Sequence, residues 1–242
     1  MKKLHFFVLF VLITSFTSLA QSPQVGWISK FGAAGGVNPM WVMPKTSEVN
    51  RMLPAMGLEE ISDNGFFALG GSGYLYIMFV KNLRVGGYGF GGSTESSGVV
   101  AGVHKSARYS VSGGGITIEY TMPFVKGIAV SAGTMLGMGS MELNLYNNAY
   151  EYNYSDQWVQ LGPSQQNYSR EMTNTFYTIA PTTNVDIPLT RFIAFRTGIG
   201  YQFTFGDKWT TANDRELKGV PDDLKSEMLF FQTGIYVGLF AF

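Results

Sequence analysis

The stretch RFIAFRTGIGYQFTF, residues 191–205, changes character at every step. Ile193, Phe195, Thr197, Ile199, Tyr201, Phe203 and Phe205 form one set, and Phe192, Ala194, Arg196, Gly198, Gly200, Gln202 and Thr204 form the other. A period of two places the sets on opposite faces of a strand. One face is apolar with aromatic ends. The other is small or polar and carries a charge.

The same split recurs along the chain. Tyr177, Ile179, Val185 and Ile187 oppose Asn174, Thr178, Thr182 and Asn184, and Val130, Leu136 and Met138 oppose Ser131, Gly133 and Gly137. Leu69, Leu75, Ile77 and Phe79 oppose Ala68, Gly70, Ser72, Tyr74 and Tyr76. Near the end, Leu229, Phe231, Ile235, Val237 and Leu239 oppose Gln232, Gly234, Tyr236 and Gly238. Two strands are less regular. LRVGGYGFGG, 83–92, is rich in glycine on both faces, and RYSVSGGGITIEY, 108–120, switches parity across its three glycines. That switch reads as a bulge, which glycine accommodates. An opening strand over 25–37 completes a set of eight.

The connections carry a second rhythm. VKNL near 80–83, MPFVKG at 122–127 and DIPLTR at 186–191 are short, whereas those near 37–64, 93–106, 143–170 and 206–226 are long. Short periplasmic turns alternating with longer external loops are the habit of a membrane barrel. The sequence therefore predicts an all-β fold, an eight-stranded antiparallel up-and-down transmembrane β-barrel. It predicts one short helix in the first external loop, over about 47–56. There SEVNRMLPAMG sets Val49, Met52, Leu53 and Met56 on one face, with Ser47 as N-cap, Gly57 as stop and Pro54 shortening the last turn. Such a helix would lid or partly enter the barrel.

Composition agrees. Charged residues make up 14% and aromatics 15%, with 30 glycines and no cysteine, against a usual charged share of about 25%. Lys2 and Lys3, the apolar run after them and the small residues around Ala20 read as a signal peptide over 1–20, leaving 21–242 as the barrel domain. Without Lys2 and Lys3 the chain has 15 basic residues against 17 acidic ones, a balance that argues against nucleic acid as a partner.

With leader, alternating strands, loop rhythm and a terminal Phe242, the chain resembles the small bacterial outer-membrane β-barrels of the OmpA/OmpW-like group. The resemblance implies residence in the cell outer membrane of a Gram-negative bacterium. It also implies contact with outer-membrane lipids and recognition of the last strand by the barrel-assembly machinery. Phe242, Phe240 and Tyr236 match the aromatic spacing of that assembly signal, although Val237 stands where the group usually has glycine.

Few residues point to chemistry. His104, Ser106 and a downstream Glu119 resemble the His-x-Ser of outer-membrane lipid A deacylases, but a triad needs its members adjacent, and a loop histidine is the reading preferred here. Asp214, Glu216, Asp222 and Asp223 follow no calcium-loop spacing. No catalytic residue, metal or cofactor is assigned. Arg196 and Glu119 fall on the inward parity, with Arg84 near a short turn. An eight-stranded barrel is just wide enough for side chains to fill it, and a buried charge needs a partner. These three are the lumen ion-pair candidates, forming a plug or, alternatively, lining a narrow polar path. Tyr150, Tyr152, Tyr154 and Trp158 form an external aromatic loop suited to an extracellular ligand or to the headgroup level. The functional expectation is a non-catalytic outer-membrane barrel with a structural, adhesive or small-solute role. The alternatives are a soluble lipocalin-like barrel with a lipophilic ligand inside, or a lipid-modifying hydrolase.

Overall fold

The computed structural model describes residues 32–77, 79–123, 125, 127–149, 167–206 and 208–240. The expected leader, the first half of the opening strand, Tyr150, Tyr152, Tyr154, Trp158, Phe242 and the side chain of Phe240 lie outside the described residues.

Ten strands form one antiparallel sheet. They are β1 (Gly32–Val37), β2 (Met40–Pro44), β3 (Phe66–Tyr76), β4 (Leu83–Val100), β5 (Val103–Thr121), β6 (Ala129–Asn148), β7 (Tyr168–Pro188), β8 (Ile193–Phe205), β9 (Trp209–Thr211) and β10 (Met228–Phe240), with helix α1 (Ser47–Met56) between β2 and β3. β1 and β2 are two halves of one stave: each pairs with β3 on one side and β10 on the other. Pro39 sits at the break, where it has no N–H to donate. β9 only prolongs the pairing of β7. Eight staves therefore run neighbour to neighbour, and β10 closes the ring between β8 and the first stave.

The register corrects two expectations. β4 pairs with β5 unbroken from Leu83↔Tyr120 to Val100↔Val103, and β5 with β6 from Thr121↔Ser131 to His104↔Asn148. The three glycines at 113–115 form no bulge. Odd positions of β5 face inward throughout, with Tyr109, Val111, Thr117 and Glu119 all buried. What changes along the strand is the interior itself, apolar at one end and polar at the other. The connection expected over 93–106 is also strand. It closes in two residues, Ala101 and Gly102, whose φ of 53° and 81° suit the tight hairpin turn that matches strand twist. β6 and β7 likewise run into the expected loop at 143–170. Ser93, Glu95, Ser97, Ser106 and Arg108 share the outer face there, and water rather than lipid meets them, so the apolar alternation that marks a strand in sequence is missing.

Stave lengths divide the ring. β3, β8 and β10 have 11, 13 and 13 residues, close to the roughly 9–11 that cross a hydrocarbon core. β4 to β7 have 18, 19, 20 and 21, or roughly 60–70 Å at the usual rise. They project beyond the long-loop end as a four-stranded blade. Below the blade the outer face is apolar. Phe67, Leu69, Leu75, Ile116, Met138, Tyr177, Ile179, Phe203, Phe231, Ile235 and Val237 are all exposed. Outward positions over 67–75, 85–91, 112–120, 130–140, 175–187, 193–205 and 229–237 hold no charged residue.

Glycines sort by face. On the inner face the room a glycine leaves is occupied by a neighbouring side chain. A Cβ on Gly139 would lie 2.6 Å from the Phe176 ring and one on Gly137 2.7 Å from the Tyr88 hydroxyl, while Gly200 faces the Phe230 ring in the same way. Gly73 and Gly114 belong to the outer parity, because even residues of β3 and odd residues of β5 are the buried ones. On the outer face a Cβ at Gly89 or Gly91 would meet nothing closer than 3.7 Å. Gly89→Ala and Gly91→Ala are therefore expected to hold or raise stability by up to about 0.5–1 kcal/mol. Gly137→Ala and Gly200→Ala should lower it by about 1–3 kcal/mol through overpacking. Urea midpoints of the four variants, read by heat-modifiable gel migration, check the contrast, and equal effects on both faces would contradict it.

Candidate functional site

At the short-turn end the staves send polar side chains to one level of the lumen. Arg84, the second residue of β4, is 0% exposed. Its Nη2 donates to Glu119 Oε2 of β5 at 2.7 Å and also to Ser131 of β6, while its Nη1 donates to Asp186 of β7. Arg196 of β8 donates to the other oxygen of Glu119, and its Nη1 lies 3.4 Å from Asp186 Oδ1. Two guanidiniums and two carboxylates thus form a closed quartet of zero net charge. An amide chain extends it. Asn184 Nδ2 donates to Glu119 Oε1 at 3.2 Å, Gln232 Nε2 donates to Asn184 Oδ1, and Asn38 Nδ2 donates to Gln232 Oε1 at 2.7 Å. Tyr74 and Tyr236 flank the charges. Arg84 lies 4.3 Å from the Tyr74 ring centre, and Arg196 lies 5.4 Å from that of Tyr236, within range of cation–π attraction. Tyr236 also bonds Ser72 of β3.

All eight staves take part. The geometry follows from parity, since each contributor occupies an inward position, and from glycines that leave space beside it. Gly133 is opposite Glu119 in register, and a Cβ there would be 2.8 Å from Glu119 Cγ. Beside Arg196, bounded by Ser72, Thr117, Met135, Gln232 and Tyr236, remains a cavity of about 10 Å³, roughly the room for one water.

The sequence candidates Arg84, Glu119 and Arg196 therefore lie together. Asp186, the fourth charge, escapes a reading of the sequence because DIP before a short connection reads as a turn. Its signal is nonetheless present: Asp186 shares the inward parity of Thr182 and Asn184.

The long-loop end is closed differently. Helix α1 spans the expected residues, but it buries Val49, Asn50 and Leu53, and Met52, expected on that face, is 54% exposed. Thr46, not Ser47, holds the N-cap position and makes no side-chain cap bond. The C-terminus is a Schellman motif: Gly57 (φ 74°) N–H donates to Pro54 O at 2.9 Å and Leu58 N–H donates to Leu53 O at 3.2 Å. Asn50 explains the rotated face. Its amide donates to Ile61 O and accepts from Ile61 N–H, both at 2.9 Å, folding the loop back on the helix. Val49, Leu53, Leu58 and Ile61 join one apolar cluster with barrel residues such as Phe90, Tyr109, Met141, Phe176 and Phe230.

The remaining candidates scatter. His104 is exposed, pairs across from Val99 near the tip of the β4–β5 hairpin and shares its face with Ser106. Glu119 lies thirteen residues further along β5 than Ser106, roughly 40 Å away at strand rise, and points into the lumen, so the three form no triad. Among the described residues no group of three or more His, Cys, Asp or Glu is placed to hold a metal ion.

No protein-family model matches the chain, and no curated protein does. Solved structures do match. A major outer membrane protein of Thermus thermophilus aligns at a TM-score of 0.52 and 7% identity, over 86% of this chain and 99% of that one. Ail, the attachment invasion locus protein of Yersinia pestis, solved with the heparin analogue sucrose octasulfate, aligns at 0.42 and 10%, over 86% and 97%. Neisserial surface protein A aligns at 0.39 and 10%, over 88% and 97%. The first likeness is one of fold. Together with the closed ring and an uncharged apolar belt, it gives this chain the fold of the outer-membrane β-barrels. The belt and the charged interior are the reverse of what a soluble lipocalin-like barrel would show.

Breaking the quartet should be costly, because removing one partner strands a buried charge. Arg196→Met is expected to destabilise by about 3–5 kcal/mol. Adding Glu119→Gln should cost less than the sum of the two single changes. Additive urea midpoints would show the charges to be uncoupled. Outside the belt, Lys45 Nζ lies 2.6 Å from Glu227 Oε2. That bond holds the Glu227 carboxyl below its usual range and raises the Lys45 ammonium. The pair's contribution is present above the ordinary carboxylate value of about 4.3 and is lost as pH falls through the lowered folded value. At the alkaline end it is lost as pH rises through the raised Lys45 value. The stability gap between wild type and Lys45→Met should therefore be small and flat near neutrality and should close below about pH 4. A gap that widens in acid would contradict the pairing.

Proposed function

We propose that this protein is a closed, non-catalytic outer-membrane barrel whose polar layer is a plug rather than a pathway, and whose work is structural or adhesive through the projecting blade. One observation carries the reading: all eight staves contribute to a charge-balanced layer that leaves about 10 Å³ beside Arg196. A hydrated ion does not fit that space, and moving one would require parting ion pairs that are almost wholly buried. The blade supports the second half of the reading. It presents Glu95, Ser97, Ser106 and Arg108 on a rigid outward face, where a scaffold usually carries binding residues. Phe240 and Phe242 retain the role of assembly signal. Tyr236, buried against Ser72 and Arg196, serves the finished lumen as well. Planar-bilayer recording of refolded protein tests the plug. The expected result is no stable conductance step, and reproducible unitary steps would overturn it.

A further inference from the structure

We infer that helix α1 is a second seal in series with the polar layer, so that the lumen stays shut at the long-loop end even when the quartet is gone. The inference rests on the closed-barrel reading above. It goes beyond that reading by assigning α1 and its tethers a gating role that the polar layer does not need.

Three observations support it. The first is burial. Val49 and Leu53 are 3% and 2% exposed, and they belong with Val42, Phe66, Tyr109, Met141, Phe176 and Phe230 to one cluster that draws on every stave but β8. The helix lays its buried face on the apolar residues that fill the mouth, and its other face, with Arg51, Met52 and Ala55, is exposed. The second is chemistry. That cluster is apolar, and an apolar constriction excludes ions by excluding water, whereas the quartet blocks by filling its level with paired charge. The two barriers are unlike, and neither supplies a partner to the other.

The third observation is the set of tethers. Lys105 Nζ of β5 donates to Met56 O at 3.1 Å, a cation on the carbonyl end of the helix, where the macrodipole favours it. Ser96 Oγ of β4 donates to Glu59 O at 2.6 Å. Lys45, just before the helix, pairs with Glu227, just before β10. The helix is thus held to the blade on one side and to the closing strand on the other by polar bonds, while its buried face is held by apolar packing. The bonds position the cap and the packing makes the seal.

The chain has no cysteine, so a single Met135→Cys can report access. Met135 is 4% exposed, belongs to the apolar cluster and also borders the cavity beside Arg196, between the two seals. Folded, detergent-solubilised protein is treated with a small charged maleimide. With both seals intact, labelling is expected to be slow. Leu53→Asp, and separately replacement of 47–62 by a Gly-Ser segment of equal length, should raise the labelling rate by at least about tenfold. Neither should produce bilayer conductance, since the quartet remains. Replacing Arg84, Glu119, Asp186 and Arg196 together by alanine should also give no conductance while α1 is in place, and combining it with either cap change should give unitary steps. Heat-modifiable migration establishes folding for each variant. If the alanine quadruple does not fold, the labelling arm decides alone. Unchanged labelling in both cap variants, or conductance from the alanine quadruple with α1 intact, would overturn the second seal. Conductance of the unmodified protein would instead overturn the closed-barrel reading, so the two failures are told apart.

Discussion

In lipid no water is present to satisfy an unpaired backbone group, so a sheet that crosses a membrane must bond every strand on both sides. The break at Asn38 and Pro39 shows how strictly this chain observes that constraint. A proline cannot donate to the ladder, yet the stave continues past it because β1 and β2 each keep both neighbours, and local bonds bridge the gap: Asn38 N–H reaches Gly70 O at 2.7 Å and Thr233 N–H reaches Pro39 O at 2.9 Å. Closure at eight staves then fixes the interior. It is too narrow to be a channel unless side chains leave it, and too wide to be left empty. Everything else in the lumen is an answer to how that space is filled.

The answer differs at the two ends. Near the long loops the ring is filled by aromatic and aliphatic side chains set into glycine dimples, with α1 completing the packing. Near the short turns it is filled by a neutral quartet. Burying four charges is seldom the most stable way to fill a space. What the quartet provides is directional: Arg84 can bond Glu119, Ser131 and Asp186 at once only when β4, β5, β6 and β7 stand in this register. A one-residue slip of any of these staves would turn its contributor toward lipid. The quartet therefore penalises misregister in a way an apolar filling would not.

Legibility in the sequence follows the contrast between faces. β8 can be read residue by residue because lipid demands apolar side chains on one face and the lumen demands small or polar ones on the other. Arg196 stands out for that reason. Where the contrast fades, the pattern fails. Above the membrane both faces of β4 meet polar surroundings or loop, so Ser93 to Val100 carries no periodic signal although it is strand. In β5, Tyr109 and Val111 are apolar because they face the upper lumen, and Ile116 and Ile118 are apolar because they face lipid. The sequence shows a parity switch where the backbone has none. Asp186 is hidden by its neighbourhood, since an acidic residue two before a proline at a strand end is ordinary turn chemistry.

Helix α1 is legible in extent but not in orientation, and the reason bears on what it does. A stripe of Val49, Met52, Leu53 and Met56 is what a helix lying on a flat apolar surface would bury. This helix has its own loop folded against it, so the buried face turns toward Asn50. A polar residue is tolerated there because Ile61 offers a backbone N–H and C=O that would otherwise be left unpaired beside the apolar cluster. The exchange makes helix and loop a single unit: Leu53 and Ile61 enter the cluster together, and neither can withdraw without leaving a buried amide or peptide group unsatisfied. Cooperative seating of that kind distinguishes a stopper from a helix that merely rests nearby, and it is written in one asparagine that a hydrophobicity pattern would set aside.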